Sequence, residues 1–454
     1  MSILIQALKN LVHLLQARNA AKQVGHPERQ LKLIGITGTE GKTTAISALY
    51  HIMHNCGLKV SYVSTTEAKI GNKSLDTGLH VTSPEPWELP RYLKLMLDSG
   101  SEYVLLETTS QGLAQNRFGD IKFSGALITN IREDHLDYHK TWERYATAKF
   151  KLIKKLKNGA LAVLNDDDKR SAEWMKIKLA KIASGLEVVW VSKSLISRLE
   201  LHLHKLQFTY KRQNFSIPVF GAIYNLENIL QTIVFAESLL PLTHIRKALS
   251  TYTLPKGRME VLMAEPFNVI VDFAHTPAAL EFVLQSLREL IPAGKKLITV
   301  FGCAGKRDIG RRRMGHISAS YADLTILTAE DPRNERVYDI NTEIYSTAKR
   351  LGAEVIQRFS GHEDYALTSL GDINATLGEA WKNDQKPFIM FDEDSRNSRS
   401  DAIELALKLA GRGDVVLITG KGHEESLSFG KEEKEFAWTD QGETMQILKK
   451  LKKL

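Results

Sequence analysis

Cysteine is almost missing from this chain: Cys56 and Cys303 are the only two in 454 residues. That excludes a disulfide framework and any zinc site of the ordinary cysteine-rich kind. A reducing cytoplasm is the simplest home for such a sequence. Long apolar runs are absent too. Ile3, Leu4, Leu8, Leu11, Val12 and Leu15 form a helical stripe, but Lys9, His13 and Arg18 interrupt it. The stripe is too short and too charged to span a bilayer. It also lacks the basic n-region and cleavage site of a secretory signal. No transmembrane segment is expected, and the stripe should pack on its own protein or on a partner subunit. Weak membrane-surface contact through residues 1–18 is the alternative. Aromatic residues are missing from the basic runs, Arg311-Arg312-Arg313 and Lys449-Lys450-Leu451-Lys452-Lys453, which contribute to a net charge of +8. No nucleic-acid partner is therefore expected, and phosphate-rich small molecules explain the basic balance equally well.

What the chain does contain is a phosphate loop. Gly35-Ile-Thr-Gly-Thr-Glu-Gly-Lys-Thr-Thr44 follows an apolar run (Leu31, Leu33, Ile34) that reads as a buried strand. It precedes a helical pattern carried by Ala45, Ile46, Leu49, Tyr50 and Met53. A glycine-rich turn from strand to helix aims backbone N–H groups and the positive helix end at one point, which suits a polyphosphate. Lys42 would reach the outer phosphates, and the Thr43 hydroxyl would ligate Mg²⁺. The first glycine stands one residue earlier than in the common G-x-x-x-x-G-K-[ST] pattern, because position 36 is Ile. A nucleoside triphosphate is the expected ligand.

Length and composition (43% hydrophobic, 25% charged) place the chain among ordinary globular proteins with two or three domains. Apolar strands alternate with helical patterns from residue 31 onward. Strands are predicted at Lys59–Ser64, Tyr103–Glu107, Ala126–Asn130, Leu161–Asn165 and Val188–Ser192. A turn-rich junction, Thr253 to Arg258, precedes a second series: Asn268–Phe273, Leu297–Phe301, Leu324–Thr328, Glu354–Gln357, Pro387–Phe391 and Val415–Thr419. Near-continuous apolar strands separated by helices imply parallel sheets covered on both faces. The expected organisation is an N-terminal helix and linker (1–30), a central α/β phosphate-loop ATPase domain (31–252), and a C-terminal Rossmann-like α/β domain (253–454).

Polar clusters sit just after strand ends in both series, where open α/β sheets bind ligands. Two such edges facing each other would form a cleft with nucleotide on one wall and a second substrate on the other. Glu107 ends a strand and could hold a cation against phosphates. Asp134-His-Leu-Asp-Tyr-His139 follows another strand end; an imidazole ligates Mg²⁺ only where carboxylates and phosphates complete the shell. Periodicity alone makes Lys149 one more surface lysine of its helix. The turn Gly302 to Gly310 carries Arg307, which suits an anionic group. Asp331-Pro-Arg-Asn-Glu335 reads as a proline turn.

In this order these residues resemble the Mur ligase family, and within it the ligases that add the third amino acid to a UDP-linked muramoyl dipeptide. The matching segments are Gly38 to Thr44, Thr82-Ser-Pro84, Glu107 to Leu113, Asp134 to His139, Ala148-Lys149, Asn225-Leu-Glu-Asn228, Gly257-Arg-Met-Glu260, Val271 to Pro277, Gly305 to Asp308, Asp331-Pro-Arg333 and Gly420-Lys-Gly-His-Glu424. The phosphate loop alone would fit folylpolyglutamate synthetases as well; Asp134 to His139 and Gly420 to Glu424 separate the two.

The resemblance implies an ATP- and Mg²⁺-dependent amide ligase of peptidoglycan synthesis, acting through an acyl phosphate on small-molecule substrates. It implies catalytic roles for Lys42, His135 and Lys149. Thr43, Glu107, His135 and Lys149 match magnesium ligands, the lysine as its carbamate. Gly38, Thr39, Glu40, Gly41, Lys42, Thr43, Thr44, Asn228, Arg258 and Asp272 match nucleotide contacts. Thr82, Ser83, Thr109, Gln115 and Arg117 match residues that hold the muramoyl-peptide. Arg307, Glu330, Asp331, Pro332, Arg333, Gly420 and Glu424 match the pocket for the incoming amino acid. Arg333 favours meso-diaminopimelate, while the extra carboxylate of Glu330-Asp331, in place of Asp-Asn, could attract the ammonium of lysine. Glu40 replaces an Asn, Gln111 a His and Phe273 a Tyr. Only about thirty residues precede the phosphate loop, where family members carry a domain that grips UDP. A ligase acting on another carboxylate and a non-catalytic ATP-binding regulatory module remain as alternatives.

Overall fold

A computed structural model of the chain describes residues 3–64, 67–71, 73–76, 83–182, 185–306 and 309–453. It divides into two compact units, Met1–Leu201 with Lys205–Thr253, and His202–His204 with Leu254–Leu454. Of the residues singled out above, Thr82 and Arg307 lie outside the described residues.

Unit 1 opens with helix α1 (Ile3–Gln23) and then alternates strand and helix: β1 (Lys32–Thr37), α2 (Lys42–Asn55), β2 (Val60–Val63) and the hairpin β3 (Glu67–Ile70) and β4 (Lys73–Asp76). It continues with α3 (Leu89–Asp98), β5 (Tyr103–Glu107), α4 (Ser110–Ala114), β6 (Phe123–Ile128), α5 (Leu136–His139), α6 (Trp142–Lys154), β7 (Leu156–Asn165), α7 (Lys169–Leu179) and β8 (Glu187–Val191). The strands form one sheet in the order β4-β3-β2-β5-β1-β6-β7-β8. β1 pairs in parallel with β5 on one side and β6 on the other. The chain leaves β1 toward one edge and later returns to fill the other, so β1 is the topological switch point, where α/β sheets open a crevice. Its strands read as apolar runs because both faces are covered: all five residues of β5 are buried.

Three further strands, β9 (Ile196–His202), β10 (Lys205–Tyr210) and β11 (Gln213–Ile217), make a separate small sheet, followed by α8 (Ile223–Ala236) and α9 (Leu242–Leu249). Neither this sheet nor the β3–β4 hairpin was expected from the sequence. β10 alternates half-buried and buried residues, the period-2 pattern of a one-sided antiparallel strand, over only six residues.

Unit 2 holds a seven-stranded sheet ordered β12-β13-β18-β14-β15-β17-β16. The strands are β12 (Glu260–Met263), β13 (Asn268–Asp272), β14 (Leu297–Phe301), β15 (Leu324–Leu327), β16 (Ala353–Phe359), β17 (Lys386–Phe391) and β18 (Val415–Thr419), with a terminal hairpin β19 (Ser426–Phe429) and β20 (Lys434–Ala437). All neighbours are parallel except β12, which runs antiparallel to β13 at the edge. Each unit encloses its own apolar core.

Candidate active site

The loop from Gly38 to Thr44 leaves the carboxyl end of β1 and enters α2, with Gly41 at the helix N-cap in a left-handed conformation (φ +79°). Close approach requires glycine at two positions, and at Gly41 the backbone φ requires it as well. A Cβ at Gly41 would lie 2.2 Å from Asn228 Oδ1, and one at Gly38 would lie 1.8 Å from Thr129 Oγ1. The structure therefore places Asn228, 187 positions on (228 − 41), against the loop. Thr129 and Asn130 at the end of β6 brace the same turn: Thr129 Oγ1 and Asn130 Nδ2 donate to Glu40 O at 2.6 and 3.2 Å, and Asn130 Oδ1 accepts from Glu40 N at 3.0 Å. Neither was assigned a role from the sequence, although both lie at the end of the predicted strand Ala126–Asn130.

Glu40, which stands where the resembled family has Asn, brings a negative charge into the loop. Its carboxylate is paired with Arg132 Nη1 at 2.9 Å, so a cation already faces it. Lys42 Nζ donates to Thr39 O at 2.9 Å, within the loop it would serve. Thr43 Oγ1 lies 3.5 Å from Glu107 Oε2. The parallel register Ile36↔Glu107 sets that carboxylate beside the loop, and Glu107 is only 4% exposed.

Lys149 is not a surface lysine. It is 2% exposed on α6, its Nζ donates to Gly38 O at 2.6 Å and lies 4.6 Å from the Tyr145 ring centroid. Burial, reinforced by nearby Lys42, pushes its ammonium well below the ordinary lysine range, against the opposing pull of Asp134 and Glu107. Tyr145 also stands 6.2 Å from the His135 ring and donates to Thr39 Oγ1 at 3.1 Å. His135 has a left-handed backbone (φ +51°) and its Nε2 is 3.4 Å from Asp134 Oδ2. Loop, Glu107, Lys149 and His135 are thus gathered around the β1 switch point. Among the described residues no group of three His, Cys, Asp or Glu side chains could hold a metal ion alone. A Mg²⁺ site here would draw on Thr43, Glu107, phosphate oxygens and a modified Lys149, and a buried amine disfavoured as an ammonium is chemically suited to modification.

A second network follows the end of β5. Ser83 Oγ and Thr109 Oγ1 are 3.0 Å apart, and Thr109 N donates to Ser83 Oγ at 3.1 Å. Arg117 donates through Nε to Gln115 Oε1 (2.8 Å) and through Nη1 to Ser83 O (3.0 Å), and pairs with Glu85 at 2.9 Å. Gln115 Nε2 donates to the Tyr138 hydroxyl at 3.1 Å, tying this network to the 134–139 segment.

In unit 2, Asp272 ends β13 with both oxygens occupied: Oδ2 accepts from Met259 N and Oδ1 from Ala274 N, each at 2.8 Å. It fixes the turn that carries Arg258, whose guanidinium lies 4.7 Å from the Phe273 ring centroid. Burial raises the Asp272 carboxyl despite those amides and Arg258.

The ends of β15 and β18 bring the 330–333 and 420–424 segments together. Glu330 is 5% exposed, and its Oε2 lacks a hydrogen-bond partner. Desolvation pushes this carboxyl up to about 8, although Arg399 and Lys421 pull the other way. A Cβ at Gly420 (φ +108°) would fall 2.6 Å from that oxygen. Asp331 (φ +40°) and Arg333 (φ +56°) flank Pro332 in left-handed conformations, which are strained for residues with a Cβ. Asp331 accepts from Lys421 Nζ at 3.0 and 2.9 Å and from Ser428 N at 2.9 Å. Lys421 also meets Glu424 at 2.6 Å and is 1% exposed. The extra carboxylate at position 331 is thus neutralised by Lys421 and is not held open for another ammonium. Arg333 is anchored by its N–H to Ser428 O at 3.1 Å, its Nε is buried without a hydrogen-bond partner, and Glu433 is 3.9 Å away.

Comparison with known proteins covers both units. The family description "Mur ligase middle domain" matches residues 36–236, and "Mur ligase, glutamate ligase domain" matches residues 257–373. The chain is similar to the UDP-N-acetylmuramoyl-L-alanyl-D-glutamate--2,6-diaminopimelate ligase of Clostridium perfringens, at 32% identity over 412 residues, 88% of this chain and 75% of that protein. The ligase of the same name from Chlamydia felis is 31% identical over 426 residues, 92% and 79% of the two chains. A solved structure of a ligase of that name aligns with a TM-score of 0.64 at 25% identity, covering 97% of this chain and 83% of the other. MurF ligase from Thermotoga maritima in complex with ADP shares the fold (TM-score 0.61, 17% identity, 96% and 84% covered).

Proposed function

The chain belongs to the Mur ligase family, and from that premise we propose that it is an ATP-dependent, ADP-forming amide ligase of peptidoglycan synthesis. It adds a diamino acid, meso-diaminopimelate, to UDP-N-acetylmuramoyl-L-alanyl-D-glutamate. The relatives from Clostridium perfringens and Chlamydia felis bear the name of that reaction, and the likeness runs through both units. The observation that carries the reading is at the β15 and β18 ends, where the turn bearing Arg333 is tied to the 420–424 segment by Asp331 and Lys421 and the buried Arg333 Nε has no hydrogen-bond partner. A guanidinium with a donor to spare fits an amino acid bearing a second carboxylate.

The substrate carboxylate attacks the γ-phosphorus of ATP, ADP leaves, and an acyl phosphate forms. The incoming amine then attacks the acyl carbon, loses a proton and expels inorganic phosphate. The loop amides from Gly38 to Thr44 and the Lys42 ammonium would hold and neutralise the phosphates. Thr43 and Glu107 would hold one Mg²⁺, and His135 with Lys149 as its carbamate a second. Bound Mg²⁺ supplies charge neutralisation at the transferring phosphoryl oxygens. Asn228, Arg258 and Asp272 are assigned to the nucleotide's surroundings, and the Ser83–Thr109–Gln115–Arg117 network to the muramoyl-peptide. Arg333 would pair with the far carboxylate of the diamino acid.

The test is phosphate release together with product mass, measured with UDP-N-acetylmuramoyl-L-alanyl-D-glutamate and a panel of amino acids. Expected is release that needs both substrates and a product heavier by one diaminopimelate residue. Arg333→Ala should cut kcat/KM for the diamino diacid about a hundredfold while changing slow use of lysine little. Equal loss for both removes the Arg333 assignment. Release driven by other acid–amine pairs moves the protein to another acceptor, and no release at all ends the ligase reading.

A further inference from the structure

A cavity of about 370 Å³ lies in unit 1, between α1, the Pro27–Arg29 turn, α3 and the segment 117–122. That volume falls within the range of small-molecule sites. Its floor is apolar, formed by Leu89, Leu93, Phe118 and Ile121, all buried in the core of unit 1. Its rim is basic. Arg18, Arg29, Lys122 and Lys157 line it, facing the two carboxylates Glu28 and Asp120. Asp120 is fully engaged, whereas Glu28 is engaged through Oε1 alone and its buried Oε2 has no hydrogen-bond partner. Asp120 accepts from Arg18 at 2.6 and 3.0 Å, which holds its carboxyl below the usual range, and Glu28 contacts His26 Nδ1 at 2.9 Å. Lys122 is exposed and near enough to help hold Asp120 ionised, while Lys157 Nζ donates to the Ser124 hydroxyl at 3.3 Å and has no ion-pair partner among the described residues. Arg29 is 73% exposed and only grazes Glu28, at 3.9 Å.

An apolar floor under a rim that carries four cations against two carboxylates suits a ligand that joins a flat ring to a polyanion. Arg117 connects this cavity to the candidate site. It lines the cavity and belongs to the Ser83–Thr109–Gln115 network assigned above to the muramoyl-peptide. We propose that the cavity is a nucleoside-diphosphate subsite, with the pyrimidine base on the apolar floor and the diphosphate on the Arg29, Lys122 and Lys157 rim. The inference rests on the ligase reading and names where the UDP end of that substrate is held.

The test is calorimetric titration of the full chain with UDP, and separately with UDP-N-acetylmuramoyl-L-alanyl-D-glutamate, alongside turnover of the same samples. The double variant Arg29→Glu/Lys122→Glu changes two exposed side chains and should fold normally, as circular dichroism would verify. It should weaken UDP binding and raise KM for the UDP-linked substrate, each by about tenfold or more, with KM for ATP unchanged. Lys181→Glu, an exposed reversal outside the cavity, should match the wild type. Unchanged UDP affinity in the double variant, with the wild type turning over, overturns the cavity assignment and leaves the ligase standing. Equal weakening in Lys181→Glu also overturns it, since net charge would then be the cause. Rim-sensitive UDP binding without turnover of any acceptor supports the cavity and sinks the ligase reading instead.

Discussion

One methyl group at position 41 would collide with Asn228, and one at position 420 with Glu330. At both places the candidate site depends on an atom that is not there. Glu330 is the residue whose chemistry departs furthest from its solution behaviour. An unfolded glutamate ionises near 4.5, whereas burial pushes folded Glu330 up to about 8. Between those values the native state holds a proton that the unfolded chain has released. The stabilisation is complete below about 4.5 and is lost as pH rises through about 8. Glu330→Gln cannot ionise, so its melting temperature should decline less than that of the wild type between pH 5 and 8.5. Parallel melting curves across that range would show that Glu330 ionises normally in the folded protein. Lys149 and Lys421 show where reading residues one at a time stops. By helical periodicity Lys149 belonged on a surface, and only the matched motif pointed to it; the structure buries it under the loop because α6 packs beneath the β1 turn. Lys421 stood inside a motif already quoted, yet nothing in its neighbours revealed that it would neutralise Asp331, 90 residues away.

Arg399 and Asp440 form a fully buried ion pair between elements of unit 2, at 2.7 Å, with both side chains 0% exposed. Arg399 also donates to Ala329 O (3.2 Å) and Thr419 O (3.0 Å), the carbonyls that immediately precede Glu330 and Gly420. A helix spanning Arg396–Leu409 and another spanning Asp440–Lys450 are thereby tied to the two strand ends that build the candidate amino-acid pocket. Asp440→Ala leaves a guanidinium buried and unpaired and should cost about 3–5 kcal/mol in urea or thermal unfolding. Replacing both partners by Leu or Met should cost much less, because the desolvation penalty disappears with the charges. If the single and double variants lose the same stability, the cost comes from lost volume. Elements of this kind differ in how plainly they are written. Tyr103–Glu107, Leu297–Phe301 and Val415–Thr419 match the predicted strands residue for residue, because a strand covered on both faces is apolar throughout. β9 is mostly exposed, and its burial pattern carries no run that could have marked it.

At the scale of the whole chain, the alternation of strand and helix was readable because parallel sheets need crossover helices, and both large sheets follow it. Small antiparallel additions, the β3–β4 and β19–β20 hairpins and the β9–β11 sheet, escaped because a few half-polar residues satisfy loop and strand alike. The phosphate loop was legible from local order; the amino-acid cluster was legible only through its resemblance to a family, since pairing between positions 331 and 421 is a property of sheet order. What the assembled chain must do as a unit is couple phosphate transfer to bond formation, and one oxygen atom reports on that coupling. If the γ-carboxyl of the D-glutamate in the acceptor carries oxygen-18, the acyl phosphate retains one labelled oxygen bridging to phosphorus. Attack by the amine breaks the carbon–oxygen bond, so that oxygen leaves with the phosphate. Each amide formed should therefore deliver one labelled oxygen to inorganic phosphate, read by mass spectrometry or by the phosphorus-31 isotope shift. Unlabelled phosphate formed alongside labelled product would mean that ATP is hydrolysed by water and the bond is made another way, which would end the acyl-phosphate route for this chain.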